Sequence, residues 1–201
     1  MDALPRPRLA VGVMGSASGE LDPRVVAAVE RLGAAVAAAG CTLMTGACPG
    51  LPYVAVVGAK RAGGLTIGIS PALSETEHVQ RFGSPVEGFD VLVYTGSGLM
   101  GREVVNIRSS DIVVIVGGRS GTLGEFAIAY DEGRLIGVLT DTGGVADMVD
   151  ELVVRIEKET GAHILYDDDP ERLVTQCIEY YRTAHFRRPS SLHDITPTVP
   201  A

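Results

Sequence analysis

Short apolar runs alternate along the chain with longer segments whose apolar residues recur every three or four positions. Residues 9–14 form the first run and read as a buried strand, closed by the loop Gly15-Ser16-Ala17-Ser18-Gly19. Asp22-Pro23 then opens a helix, with Asp as N-cap and Pro in the first turn. Val25, Val26, Val29, Leu32, Ala35, Val36 and Ala39 give that helix an apolar stripe, and Gly40 ends it. The same reading predicts strands at 42–45, 65–69, 91–94, 112–116, 135–139 and 163–166. Helices are predicted near 51–62, 99–109, 122–132, 145–159 and 170–183, with 70–90 left irregular. The clearest strand is Ile112-Val113-Val114-Ile115-Val116, all apolar and β-branched, as suits a strand covered on both faces.

Strict strand–helix alternation implies a Rossmann-like, doubly wound parallel sheet of about seven strands with helices on both faces. One domain over 1–186 is expected, followed by a loose proline-containing tail at 187–201. Ligands of such sheets bind beyond the carboxyl ends of the strands. The loops 15–19, 46–50, 95–98 and 117–121 all follow strands and are expected to converge on one crevice.

Composition sharpens this reading. Glycine accounts for 25 of the 201 residues, well above the usual 7% or so, and most of the surplus falls in those loops. The net charge of −8 argues against a nucleic-acid partner. No apolar run is long enough to cross a membrane, and the opening residues do not read as a signal peptide. Cys41, Cys48 and Cys177 are odd in number and lack metal-ligand spacing, so a reduced, cytoplasmic setting without a metal or cofactor is expected. His78, His163, His185 and His193 are scattered, and Asp167-Asp168-Asp169 reads as a helix start.

The loop Gly117-Gly118-Arg119-Ser120-Gly121 carries the strongest chemical signal. Its glycines let backbone approach a ligand, and it feeds a helix whose free N–H groups and dipole favour an anion. The bland alternative is a tight turn with Thr122 as N-cap and Glu125 closing a capping box. The spacing matches neither a Walker A loop nor G-x-G-x-x-G, which disfavours an ordinary ATPase or dehydrogenase.

Gly117 to Glu125 resembles the P-G-G-x-G-T-x-x-E signature of the Lonely guy (LOG) family, and Arg102 precedes Glu125 by 23 residues, as that pattern has it. Asp111 also falls in register, and Met14 stands where the family has cysteine. The resemblance covers roughly residues 8–140. Gly117 in place of proline, Arg119 in place of glycine, and Arg102-Glu103 in place of arginine-lysine are departures. They are closer to a sister branch that includes a molybdenum cofactor carrier, in which Thr95, Gly96 and Arg102 match T-G-x-x-x-x-R. The resemblance implies a site for a nucleoside 5′-monophosphate or another phosphate-bearing molecule. Arg102 and Glu125 would then be the catalytic pair of a phosphoribohydrolase. Gly117, Gly118, Arg119, Ser120, Gly121 and Thr122 would hold the phosphate. Gly15, Ser16, Ala17, Thr45, Gly46, Thr95 and Gly96 would line the rest. A carrier that binds without cutting is the alternative. The resemblance also implies a homodimer or higher homo-oligomer, with the helices after Leu99 and Thr122 at the interface.

Overall fold

A computed structural model describes residues 7–185, and the tail at 187–201 lies outside the described residues. Seven strands form one parallel sheet: β1 Ala10–Gly15, β2 Thr42–Thr45, β3 Leu65–Ser70, β4 Val91–Tyr94, β5 Ile112–Val116, β6 Leu135–Leu139 and β7 His163–Asp167. The helices that follow them in turn are α1 Pro23–Ala38, α2 Leu51–Arg61, α3 Glu75–Gln80, α4 Gly98–Arg108, α5 Ser120–Asp131, α6 Val149–Ile156 and α7 Pro170–Thr183. The strand order is β4-β3-β2-β1-β5-β6-β7. The chain therefore runs outward from β1 to β4 and returns to lay β5 beside β1. That reversal opens a crevice at the carboxyl ends of β1 and β5.

Alternation along the central strands sorts side chains into two cores. Val11, Val13, Leu43, Val114 and Val116 face α1, α2 and α7. Met14, Val113 and Ile115 face the other layer, where Ile107 of α4, Phe126 of α5 and Val149 of α6 cover them. Each such side chain contributes roughly 1.5–3 kcal/mol by leaving water. Asp22 caps α1 by accepting from the Arg24 amide at 2.8 Å, and Asp169 caps α7 by accepting from the Arg172 amide at 2.9 Å. The acidic run before Pro170 thus serves a helix start. Helices α1 and α2 approach closely because Gly33 has no side chain: a Cβ there would stand 2.0 Å from the Ala55 carbonyl oxygen. Asp111 ties three elements together, accepting from the Ala10 amide at 2.8 Å and from the Tyr181 hydroxyl at 2.9 Å.

Three expectations need correction. Residues 70–90 hold the short helix α3, pinned by buried His78, whose Nδ1 lies 2.8 Å from Ser70 Oγ and Nε2 3.0 Å from the Pro85 carbonyl. Its six residues bury little apolar surface, so periodicity could not reveal it. The helix predicted over 145–159 is a 3-10 turn at Ala146–Met148 followed by α6, which stops at Glu157 in a left-handed conformation (φ 50°). The third concerns α5. It starts at Ser120, and its N-cap is Arg119, without a side-chain cap. The capping box of Thr122 and Glu125 is not formed, because the chain has already turned at Gly117 and Gly118, both at positive φ.

Candidate functional site: a cleft at the carboxyl ends of β1 and β5

A cleft of about 670 Å³ opens at the reversal of strand order, a size typical of small-molecule sites. The end of β1 and its loop form one wall through Gly15, Ser16 and Ala17, with Met14 beneath. Gly46 and Cys48 contribute from the loop after β2. The opposite wall is the first turn of α5, with Arg119, Ser120, Gly121 and Thr122. Buried Arg102 and Glu125 line it from α4 and α5, as do exposed Leu99 and Met100 at the start of α4.

The loop leading into α5 is braced from three sides. The Gly117 amide donates to Thr142 Oγ1 at 2.8 Å, and the Gly118 amide to Ser16 Oγ at 2.9 Å. The Gly117 and Gly118 carbonyls accept from the amides of Ala146 and Val145. Gly117 and Gly118 therefore have their backbone groups engaged, and neither lines the cleft. Gly118 also sits at φ +109°, where a Cβ would come within 2.5 Å of Thr122 Cγ2. The helix ladder itself begins with the Leu123 amide donating to the Arg119 carbonyl at 2.9 Å. The amides of Ser120, Gly121 and Thr122 are the first-turn donors left over, and the residues that carry them line the cleft. They lie at the positive end of the helix dipole, which makes this turn an anion-accepting surface. The Arg119 guanidinium reaches across to donate to Ser18 Oγ.

Arg102 and Glu125 are each 6% exposed, and Nη1 donates to Oε1 at 3.2 Å. Two helices and a glycine create that pairing. Arg102 projects from α4, Glu125 from α5, and Gly46 leaves room, since a Cβ there would stand 1.9 Å from Arg102 Nη1. Burial pushes the Glu125 carboxyl up to about 7, although Arg102 pulls it down and Asn106 adds a hydrogen bond. A carboxyl poised near neutrality beside a guanidinium can stabilise developing positive charge or exchange a proton. Burial pushes the Cys48 thiol up to about 11, so it offers little thiolate at neutral pH.

The other residues singled out from the sequence lie elsewhere. Thr45 is fully buried and accepts from the Ala47 amide at 3.1 Å. Thr95 donates to the Ser70 carbonyl at 2.8 Å, and Gly96 packs against Leu73. The loop 95–98 does not join the crevice, because β4 is the edge strand, with β3 and β2 between it and β1. The helix that follows it, α4, is what reaches the site. Glu103, treated above only as a departure from a motif, lines the cleft. Its signal was available: Arg102, Glu103 and Asn106 share a helix face with Ile107, which places polar groups on the buried side of α4.

Fold and cleft together define a Rossmann-like α/β protein with an uncapped helix end beside a buried arginine–glutamate pair. The chain belongs to the SLOG cluster4 family, whose model matches residues 8–174. An uncharacterised protein of Archaeoglobus fulgidus is 32% identical over 129 residues, covering 64% of this chain and 78% of the relative. The molybdenum cofactor binding protein of Rippkaea orientalis superimposes with a TM-score of 0.72 at 28% identity, covering 89% of this chain and 100% of that one. The Moco carrier protein of Chlamydomonas reinhardtii does so with a TM-score of 0.69 at 26% identity, covering 86% and 98%.

Proposed function

We propose that the chain binds a nucleotide-type small molecule in this cleft, with its phosphate on the first-turn amides of α5. The observation that carries the reading is the uncapped α5 terminus, which opens into the cleft at the reversal of strand order. The molybdenum cofactor binding and carrier proteins among its structural relatives support a small-molecule binding role. The heterocycle lies along Met14 to Ala17, and the Arg102–Glu125 pair faces the sugar. Two copies associate through α4 and α5, where Leu99, Met100 and Leu123 are exposed apolar residues.

A second reading, hydrolysis of the N-glycosidic bond, is favoured by the Arg102–Glu125 pair itself. In that reaction Glu125 stabilises the ribosyl cation or orients water, and Arg102 holds the phosphate or the leaving base. One experiment separates the two. The protein is incubated with adenosine 5′-monophosphate and guanosine 5′-monophosphate, while binding is followed calorimetrically and free base chromatographically. Binding without base release supports a carrier. Release that disappears in Glu125→Ala supports the hydrolase. Absence of binding by either nucleotide counts against the nucleotide assignment.

A further inference from the structure

Glu103 takes no part in the Arg102–Glu125 pair, yet it belongs to the same cleft. It follows Arg102 on α4 and is 5% exposed. Its carboxylate lies against the first turn of α5: a Cβ built on Gly121 would stand 3.6 Å from Oε1, and one on Gly124 3.2 Å from Oε2. Oε2 is sealed from solvent and has no hydrogen-bond partner among the described residues. An ionised carboxylate oxygen held this way is unfavourable, since nothing replaces the water it lost. Burial accordingly pushes the Glu103 carboxyl up from its ordinary value, with Arg102 pulling it down. The charged groups that act on it are Arg102 on its own helix and Glu125 on α5, which feels its charge; Arg119 lines the same cleft and donates to Ser18.

We propose that Glu103 is the specificity-determining residue of the anion subsite: an anion seats on the α5 amides only together with one proton that Glu103 takes up from solvent. The inference rests on the reading of the α5 terminus as an anion site. Carboxylate and anion share one helical turn, and two like charges there repel at short range in a partly dry cleft. The proton forms an O–H bond on the carboxyl group and no bond of the ligand changes. The neutral acid is then a donor toward the anion instead of a competitor. A lysine at this position would add positive charge to the cradle. Glutamate makes the same cradle proton-coupled, and it favours singly charged phosphate esters over doubly charged ones.

Sulfate is the probe, because it keeps its charge across the neutral range. Amide shifts of Gly121 and Thr122 are followed by ¹⁵N NMR during sulfate titrations at pH 6, 7 and 8. For the unmodified protein, affinity falls by up to about tenfold per pH unit as Glu103 ionises. Glu103→Gln, which replaces a buried carboxyl with a neutral isostere, binds sulfate with a shallower pH dependence, the remainder coming from Glu125, which titrates near 7 in the same cleft. Glu125→Gln removes that remainder and leaves the share due to Glu103, so the double variant binds sulfate with affinity independent of pH. Calorimetry in two buffers of different ionisation enthalpy reads proton uptake on sulfate binding by Glu125→Gln that the double variant lacks. Sulfate binding with no pH dependence and no proton uptake overturns the proposal, as does a Glu103→Gln slope equal to that of the unmodified protein. If the Gly121 and Thr122 amides fail to shift at any pH in both proteins, the anion subsite itself is refuted, and the coupling with it.

Discussion

Replacing Arg102 with methionine isolates what the guanidinium does for Glu125. With Arg102 in place, the Glu125 carboxyl is pushed up to about 7, burial raising it and the guanidinium at 3.2 Å lowering it. A charge pair near 4 Å in a protein site interacts by about 4 kcal/mol, and 1.36 kcal/mol corresponds to one pH unit, so losing the pair raises Glu125 by roughly 2–3 units. Arg102→Met should therefore move its titration to about 9–10. The assay is ¹³C NMR of glutamate side-chain carboxyls across pH 4–11, with Glu125→Gln used to assign the resonance. Stability follows with a definite sign. A carboxyl raised above its ordinary value keeps a proton that the unfolded chain has released. Its contribution to stability is therefore full below the ordinary value and is lost as pH rises towards the folded one. The unmodified protein stops losing stability from this group near pH 7. Arg102→Met keeps losing about 1.4 kcal/mol per pH unit up to about pH 9 in urea unfolding. A Glu125 titration that moves by less than half a unit, or downward, would refute the assignment of Arg102 as its ionising partner.

Other perturbations test the scaffold. Gly33→Ala places a methyl 2.0 Å from the Ala55 carbonyl oxygen, and forcing α1 from α2 should cost about 1–3 kcal/mol in denaturant unfolding. Gly118→Ala strains a φ of +109° and collides with Thr122, so it should cost about 1–3 kcal/mol and weaken nucleotide binding measured by calorimetry. Cys48, pushed up to about 11, should react with iodoacetamide far more slowly at pH 7 than a free thiol does. Rapid modification, read by mass spectrometry, would contradict the raised thiol.

Alternation made the parallel sheet readable, and β5 announced itself because all five of its residues are buried. Strand order was not readable. Periodicity records which residues are apolar but not which strand lies beside which, so the return of β5 to β1 and the exclusion of 95–98 from the cleft needed the fold. The start of α5 was misplaced because Thr122 and Glu125 satisfy a capping pattern. Tertiary contact wins instead, and Glu125 is turned onto Arg102 of α4. The 23-residue spacing of that pair came from a motif, whereas its burial and geometry come from the packing of α4 on α5 beside Gly46. Glu103 shows in the sequence only as a departure from a motif; its burial against α5 comes from the packing of the two helices.

The central claim is that a phosphate occupies the first turn of α5. A crystal structure of the protein with adenosine or guanosine 5′-monophosphate tests it most directly. Phosphate oxygens should lie within about 3.2 Å of the Gly121 and Thr122 backbone nitrogens, with the sugar towards Arg102 and Glu125. A well-occupied nucleotide whose phosphate lies elsewhere, leaving those amides to water, would contradict it.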